Sequence, residues 1–388
     1  MIPATIAMTV LVVLVSLAPA SAYGRRDSDS REKELEGIFQ NLTDGQSPGT
    51  AILVRENGQT LFRRGYGVRD VRSRKAIDSH TNFRLASCTK QFTAMAIMLL
   101  VHEGRMRYDE RLTEVLRGFP DYGKVITIRN LLNHTSGLPD YEDLMDQTPA
   151  RRARWTKNRQ IHDAEVLGLL EAQKDGAFAP GTRWSYSNSG YVVLGLMVAQ
   201  VSGRPFEDFL QERIFAPLKM DHTLAYVRGK NEVPDRAYGH SKEGEAFVET
   251  DQSATSATLG DGGVYSNLED LAKWDDALAR HTLLAASEMQ PALTPVTLAD
   301  GSLPSWASGP GDTNPQTGQH VSYGFGWFLD DYSGHRRMWH YGETTGFKTV
   351  IERFTAGNLT VIVLANRSDL DPKTLALKAA NVYLSKLE

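Results

Sequence analysis

The sequence predicts an α+β fold. One antiparallel sheet is assembled from both chain ends and flanked by helices, with an all-helical lobe between them. Two observations predict this. Short β-rich segments gather near residues 50–66 and 323–366, and helical patterns fill most of the interval. Strands grouped in this way, rather than alternating with helices, favour an antiparallel sheet over a parallel one. The expected layout is a sheet lobe from about 30–80 and 320–388, a helical lobe from about 81–285, and a rim loop at about 285–320. All of it lies in a single domain, residues 23–388.

The first segment, MIPATIAMTVLVVLVSLAPASAYGRR, is read apart. Its apolar run from Ile6 to Leu17 is short for a membrane span. Ala20-Ser21-Ala22 fits the small-x-small pattern of a cleavable leader. Residues 1–22 are expected to be a signal peptide, although no Lys or Arg precedes the apolar run, with a retained anchor as the alternative. The mature chain is then secreted or periplasmic, with no stable membrane insertion.

The elements follow in order. Leu35, Ile38, Phe39 and Leu42 recur at helical spacing. Residues 50–56 and 59–65 flank Asn57-Gly58, a strong hairpin signal. FRLASCTKQFTAMAIMLL, residues 83–100, opens an apolar helix that ends near Gly104. Residues 105–225 read mostly as helices and loops, and residues 264–281 as an amphipathic helix entered through Asn267. Residues 285–320 are rich in Pro, Gly, Ser and Thr and read as a surface loop. YGFGWFLDD, RRMWHY, GFKTVIERF and LTVIVLAN are strand segments with turns such as Ser333-Gly334 and Gly357-Asn358 between them. A helix over 372–386 closes the chain.

Composition narrows the function. Hydrophobic content of 41% and charged content of 23% exclude a disordered chain, and a net charge of -4 gives no footing for nucleic acid. Cys88 is the sole cysteine, so there is no internal disulfide. The ten histidines form no H-E-x-x-H pattern, so neither a metal nor another cofactor is expected.

Three sites carry candidate chemistry. Ser87 and Lys90 stand three apart at a helix start, hence on one face, and the amine can reach the hydroxyl. A free serine is a poor nucleophile without an adjacent base. A helix cap beside a solvated lysine is the plainer alternative. Tyr186-Ser187-Asn188 sits in a turn-rich loop before another helix. Its phenol, ordinarily near pKa 10, needs a cation such as Lys90 to act as a base. His340-Tyr341-Gly342 lies where one strand segment gives way to the next. His340 is placed to supply a second positive charge, and Gly342 to let substrate approach the backbone. The N–H groups of Ser87 and Glu343 are the candidate oxyanion donors. Cys88, about 100° around the helix from Ser87, is expected to pack as a small apolar group.

S-x-x-K, Y-S-N and H-x-G, in this order, resemble the three boxes of the penicillin-recognising serine hydrolases. The chain is most similar to the class C β-lactamase-like branch, with its D-alanyl-D-alanine carboxypeptidases, D-aminopeptidases and family VIII-type esterases. LLNHTSGLPDY, IFAPLKMDHT, GDGGVYSNLEDLAKW and YGFGW add to the resemblance, which covers roughly residues 30–386. It implies a β-lactamase/transpeptidase-like fold. It implies Ser87 as the acylated nucleophile, Lys90 assisting its deprotonation, and Tyr186 as the base or the proton relay to the leaving group. Asn188 would contact Lys90 and the substrate amide, and His340 stands where many relatives carry lysine; being mostly neutral near pH 7, it leaves the Tyr186 phenolate to depend more heavily on Lys90.

The implied partner is a small acyl substrate, whether peptide, ester or β-lactam. Relatives that bind carboxylates tend to carry hydroxyl residues in and after the third box, where this chain has Tyr341 and Glu343. The Glu343 charge is expected to repel a substrate carboxylate by about 1 kcal/mol, with Arg336 or Arg337 as possible compensation. The expected activity is therefore a carboxypeptidase-like or esterase-type hydrolase. A true β-lactamase, or a penicillin-binding sensor that acylates without turnover, is the alternative. Sequons occur at Asn41, Asn133, Asn358 and Asn366.

Overall fold

The computed structural model describes residues 21–304 and 322–384. The expected leader therefore lies outside the described residues except for positions 21 and 22, as does the rim loop beyond residue 304.

Seven strands form one antiparallel sheet. In chain order they are β1 (Thr50–Glu56), β2 (Gln59–Tyr66), β8 (Ser322–Tyr323), β9 (Phe328–Tyr332), β10 (His335–Thr344), β11 (Phe347–Phe354) and β12 (Leu359–Ala365), and in space they run β2-β1-β12-β11-β10-β9-β8. The β1–β12 pair, in register from Thr50↔Ala365 to Glu56↔Leu359, joins the two chain ends. Asn57 and Gly58 turn the first hairpin with φ of +50° and +78°, the left-handed pair that such a two-residue turn needs.

Side-chain alternation sends the sheet's two faces into two cores. Ile52, Val54, Val361 and Val363 pack with Leu35 and Phe39 of α1 (Ser21–Phe39) and with Leu375, Ala379 and Tyr383 of the last helix, Pro372–Leu384. Ala51, Leu53, Ile362 and Leu364 face the larger core around α2 (Lys90–His102). Helix α2 is buried from Lys90 to Leu100, as an apolar run on all sides requires. Its Phe92, Met95, Ile97, Met98, Leu99 and Leu100 together contribute on the order of 10 kcal/mol of gross burial energy.

Three further long helices complete the scaffold: α3 (Asp163–Glu171), α4 (Asn188–Ser202) and α5 (Leu268–Ala279), which makes the last helix α6. Asn267 caps α5 by accepting from the Asp270 N–H at 2.9 Å. Buried Asp275 of α5 ties three strands to this helix. It accepts from Arg55 at 2.7 Å, Arg353 at 2.8 Å and Thr360 at 2.7 Å.

The middle of the chain is not purely helical, contrary to expectation. β3 (Phe83–Arg84), β7 (Val264–Ser266) and β4 (Leu224–Ala225) form a small sheet in the order β3-β7-β4, and β5 (His240–Glu243) pairs with β6 (Ala246–Glu249). Residues 264–266 belong to this sheet, not to the following helix. Strands of two to four residues are too short to show clear alternation in sequence. Two of the four sequons are structural. Asn133 is buried, and buried Asn366 donates to the carbonyls of Val68, Arg69 and Tyr238 while accepting from the Gly49 N–H.

Candidate active site

Ser87 sits on a tight turn that links β3 to α2. Residues Ala86–Thr89 form a 3-10 turn that runs straight into the helix. In a 3-10 turn, positions i and i+3 eclipse, so Lys90 lies directly over Ser87 and its Nζ is 3.0 Å from the Ser87 Oγ. The cap alternative fails, because no side chain caps either the turn or α2.

The turn is strained and clamped. Ala86 has φ of +48°, costly for a residue with a Cβ. The Leu85 N–H donates to the Val264 carbonyl at 2.8 Å, and the Thr349 hydroxyl donates to the Leu85 carbonyl at 2.8 Å. The Thr89 hydroxyl accepts from the Val264 N–H at 3.1 Å. Buried Cys88 points away from Ser87, its Sγ donating to the His340 carbonyl at 3.2 Å, and burial pushes the thiol up to about 12. It packs, as expected.

Gly342 serves a different purpose from the one expected. A Cβ there would lie 2.0 Å from the Leu85 carbonyl oxygen and 2.6 Å from the Thr349 Oγ1. The missing side chain lets β10 close onto the Ser87 turn; the space goes to protein backbone and not to substrate.

Lys90 is fully buried, and its three N–H donors have three acceptors: Ser87 Oγ at 3.0 Å, Asn188 Oδ1 at 2.8 Å and the Asp261 carbonyl at 3.0 Å. Burial lowers its pKa to about 8, against the opposing pull of Asp261, Asp140 and Glu142. The Tyr186 ring lies 4.7 Å from the same nitrogen.

Asn188 is the first residue of α4, and Ser187 caps that helix through the Gly190 N–H. Tyr186 is half-buried beside them. Burial raises its phenol well above 10, with a hydrogen bond to Ser87 as the opposing influence. One residue that the reading of the three boxes passed over organises this loop. His134, fully buried with φ of +63°, accepts from the Ser187 N–H through Nδ1 at 3.1 Å. Its ring packs at a tilt against Tyr186 and Tyr323, with both centroid distances 4.5 Å. Burial and the nearby Lys90 charge hold it neutral, well below 6.5.

His340 lies on β10 within this cluster, fully buried. Burial first, and Lys90 second, lower its pKa to about 3. Its Nδ1 donates to the Tyr341 carbonyl at 2.7 Å, and its Nε2 accepts from the Tyr323 hydroxyl at 3.1 Å. His340 therefore brings no second positive charge here, and Lys90 is the cation beside Tyr186. Glu343 is exposed and pairs across the hairpin with Lys348 at 3.3 Å. That neighbour, and neither Arg336 nor Arg337, offsets its charge. Arg337 is buried on Asp330 and Glu352, and Arg336 is solvent-exposed.

Ser87, Lys90, Tyr186 and Asn188 thus meet at one point, with His340 beside Tyr186 and Gly342 beneath the turn. A nucleophile, a depressed amine, a phenol and an amide in this contact can carry out acyl transfer.

Comparison with known proteins agrees. The family described as Beta-lactamase matches residues 35–383. Penicillin-binding protein 4* of Bacillus subtilis (strain 168) is 30% identical over 92% of this chain and 76% of its own length. The octameric penicillin-binding protein homologue from Pyrococcus abyssi superposes with a TM-score of 0.73 at 24% identity, over 94% of this chain and 78% of that one. The D-amino acid amidase from Ochrobactrum anthropi SV3, complexed with L-phenylalanine amide, gives 0.75 at 24% identity, over 91% and 97%. The chain is a serine hydrolase and belongs to the Beta-lactamase family.

Proposed function

We propose that this protein hydrolyses amide or ester bonds of small acyl donors through an acyl-enzyme on Ser87. The observation that carries the proposal is the buried Lys90 amine, lowered to about 8 and 3.0 Å from the Ser87 hydroxyl. In its neutral form the amine accepts the Ser87 proton as Oγ attacks the carbonyl carbon. The N–H groups of Ser87 and Glu343 receive the oxyanion. Tyr186, whose phenolate is disfavoured by burial, acts as a relay. It gives its proton to the departing nitrogen or oxygen and regains one from Lys90. Asn188 holds the amine and the substrate amide in register. Water then attacks the ester on Ser87, the proton path runs in reverse, and the acid leaves with Ser87 restored. Neutral His340 positions Tyr323 and the wall behind Tyr186 and takes no proton.

Leaving groups that are neutral fit this site best, because His340 brings no charge to the Tyr186 end. Amides and esters therefore precede β-lactams. Carboxypeptidase action on peptides ending in D-alanine is a second reading. It is supported by the Lys348–Glu343 pair, which removes much of the expected repulsion, and by the similarity to a penicillin-binding protein. The mature chain works outside the cytoplasm on this proposal, on the strength of the apolar run Ile6–Leu17 and the Ala20-Ser21-Ala22 pattern. A kcat/KM comparison of p-nitrophenyl acetate, D-phenylalanine amide, a peptide ending in D-alanyl-D-alanine and benzylpenicillin tests the order. Benzylpenicillin turned over faster than the ester and the amide would overturn it.

A further inference from the structure

Resting on that acyl-enzyme reading, we propose that the substrate's acyl portion carries a carboxylate about 10 Å from the scissile carbonyl, held in a basic trough by Lys157 and Arg228.

The path to the trough is set by β10. β9 pairs with it only from His335 to Trp339, whereas β11 pairs with it as far as Thr344. From His340 to Thr344 its other edge has no strand neighbour among the described residues, and an extended ligand can pair along such an edge. The rings of Tyr186 and His340 lie 6.2 Å apart, so the proton donor stands at the His340 end of this edge. The leaving group must sit there, and the acyl chain runs the other way, past Glu343 to the hairpin tip at Thr345. Three residues of strand separate Gly342, against the Ser87 turn, from Thr345, which is about 10 Å.

At that tip Thr345 lines a cavity of about 380 Å³ together with Lys157, Arg228, Thr250, Glu249 and Asp251. Arg228 also lines an adjoining cavity of about 210 Å³. The two acids each have an arginine partner. Glu249 pairs at 2.9 Å with Arg72, which it shares with Asp70 at 3.1 Å, and Asp251 pairs with Arg236 at 2.6 Å while also accepting from the Gly239 N–H. Lys157 and Arg228 have no ion-pair partner among the described residues. The trough therefore holds two cations with no ion pair of their own beside two acids that each have one, and Thr345 joins it to the strand that passes the Ser87 turn. An acyl chain with a distal carboxylate satisfies both cations.

The test uses p-nitrophenyl esters. The monoester of sebacic acid, whose free carboxylate reaches about as far as three extended residues, is compared with its neutral methyl diester. The succinic pair serves as the short control. Each exposed ion pair is worth about threefold, so the wild type should favour the sebacate acid about tenfold in kcat/KM and show no preference in the succinic pair. A reversal removes one attraction and adds one repulsion of similar size, so the acid-to-methyl-ester ratio should fall to about one in Lys157→Glu and in Arg228→Glu, and to about a tenth in the double variant. Thermal melts report the fold of each variant. A wild-type ratio at or below one overturns the trough, as does a ratio that survives the double reversal. Failure of the underlying acyl-enzyme reading has a separate signature, p-nitrophenyl acetate turnover that persists in Ser87→Ala, and it removes the trough with it.

Discussion

Replacing Lys90 with arginine keeps the positive charge and removes the ability to lose it, because a guanidinium stays protonated in proteins. If the Lys90 amine takes the serine proton, Lys90→Arg loses the whole general-base contribution, about 10²- to 10⁴-fold in kcat/KM. The wild type should show the corresponding pH limb. The amine is mostly neutral only above its own pKa, so kcat/KM rises with pH through about 8 and then levels off. At pH 7 about a tenth of the Lys90 amine is neutral, so the rate there should be about a tenth of the plateau. Burial also raises Glu142 to about 7 and Asp163 to about 8, so a limb in this range is not diagnostic alone. Only the Lys90 limb should disappear in Lys90→Arg. The assay is the initial rate on p-nitrophenyl acetate from pH 5 to 10, with circular dichroism to establish that the larger side chain is accommodated. A folded Lys90→Arg variant that retains the limb near 8, or activity within threefold of wild type, would refute the role given to Lys90.

Three further outcomes follow from the geometry. Tyr186→Phe should fold normally and lose about 10²-fold or more on amides, yet much less on p-nitrophenyl esters, whose leaving group needs no proton; equal losses on both would remove Tyr186 from the relay. Gly342→Ala forces a methyl group to within 2.0 Å of the Leu85 carbonyl and should cost about 1–3 kcal/mol in denaturant melts, with kcat falling as the Ser87 turn shifts. His134→Phe keeps a ring against Tyr186 but leaves the buried Ser187 N–H without its acceptor, at about 1–3 kcal/mol; kcat should drop with KM little changed, and an unaltered kcat would show that the stacking alone suffices.

What could be read in the sequence was what local rules determine. Asn57-Gly58 demands left-handed backbone and so announces its hairpin. The run from Leu359 to Ala365 is long and β-branched enough to declare a buried strand. Ser87 and Lys90 were legible because helical spacing brings them together without help from the rest of the chain. The contacts that complete the site are long-range, and spacing carries no trace of them. His134 meets Ser187 from 53 positions away. Leu85 and Gly342 touch only because two segments from opposite ends of the chain fold together, so the reason for that glycine was misassigned. That His340 is mostly neutral near pH 7 follows from its ordinary pKa; how much further burial lowers it is not visible in a motif. The Lys348 partner of Glu343 could have been found, since a hairpin turning at Thr345-Gly346 places the two across from each other.

The central claim is that Ser87 carries the acyl group, and the most direct measurement is intact mass after acid quench. The protein is mixed with p-nitrophenyl acetate, stopped within the first turnovers, and the adduct is located by peptide mapping. One acetyl group on the peptide containing Ser87, absent from Ser87→Ala, is the predicted result. An acetyl group on any other residue, or turnover that continues undiminished in Ser87→Ala, would contradict it.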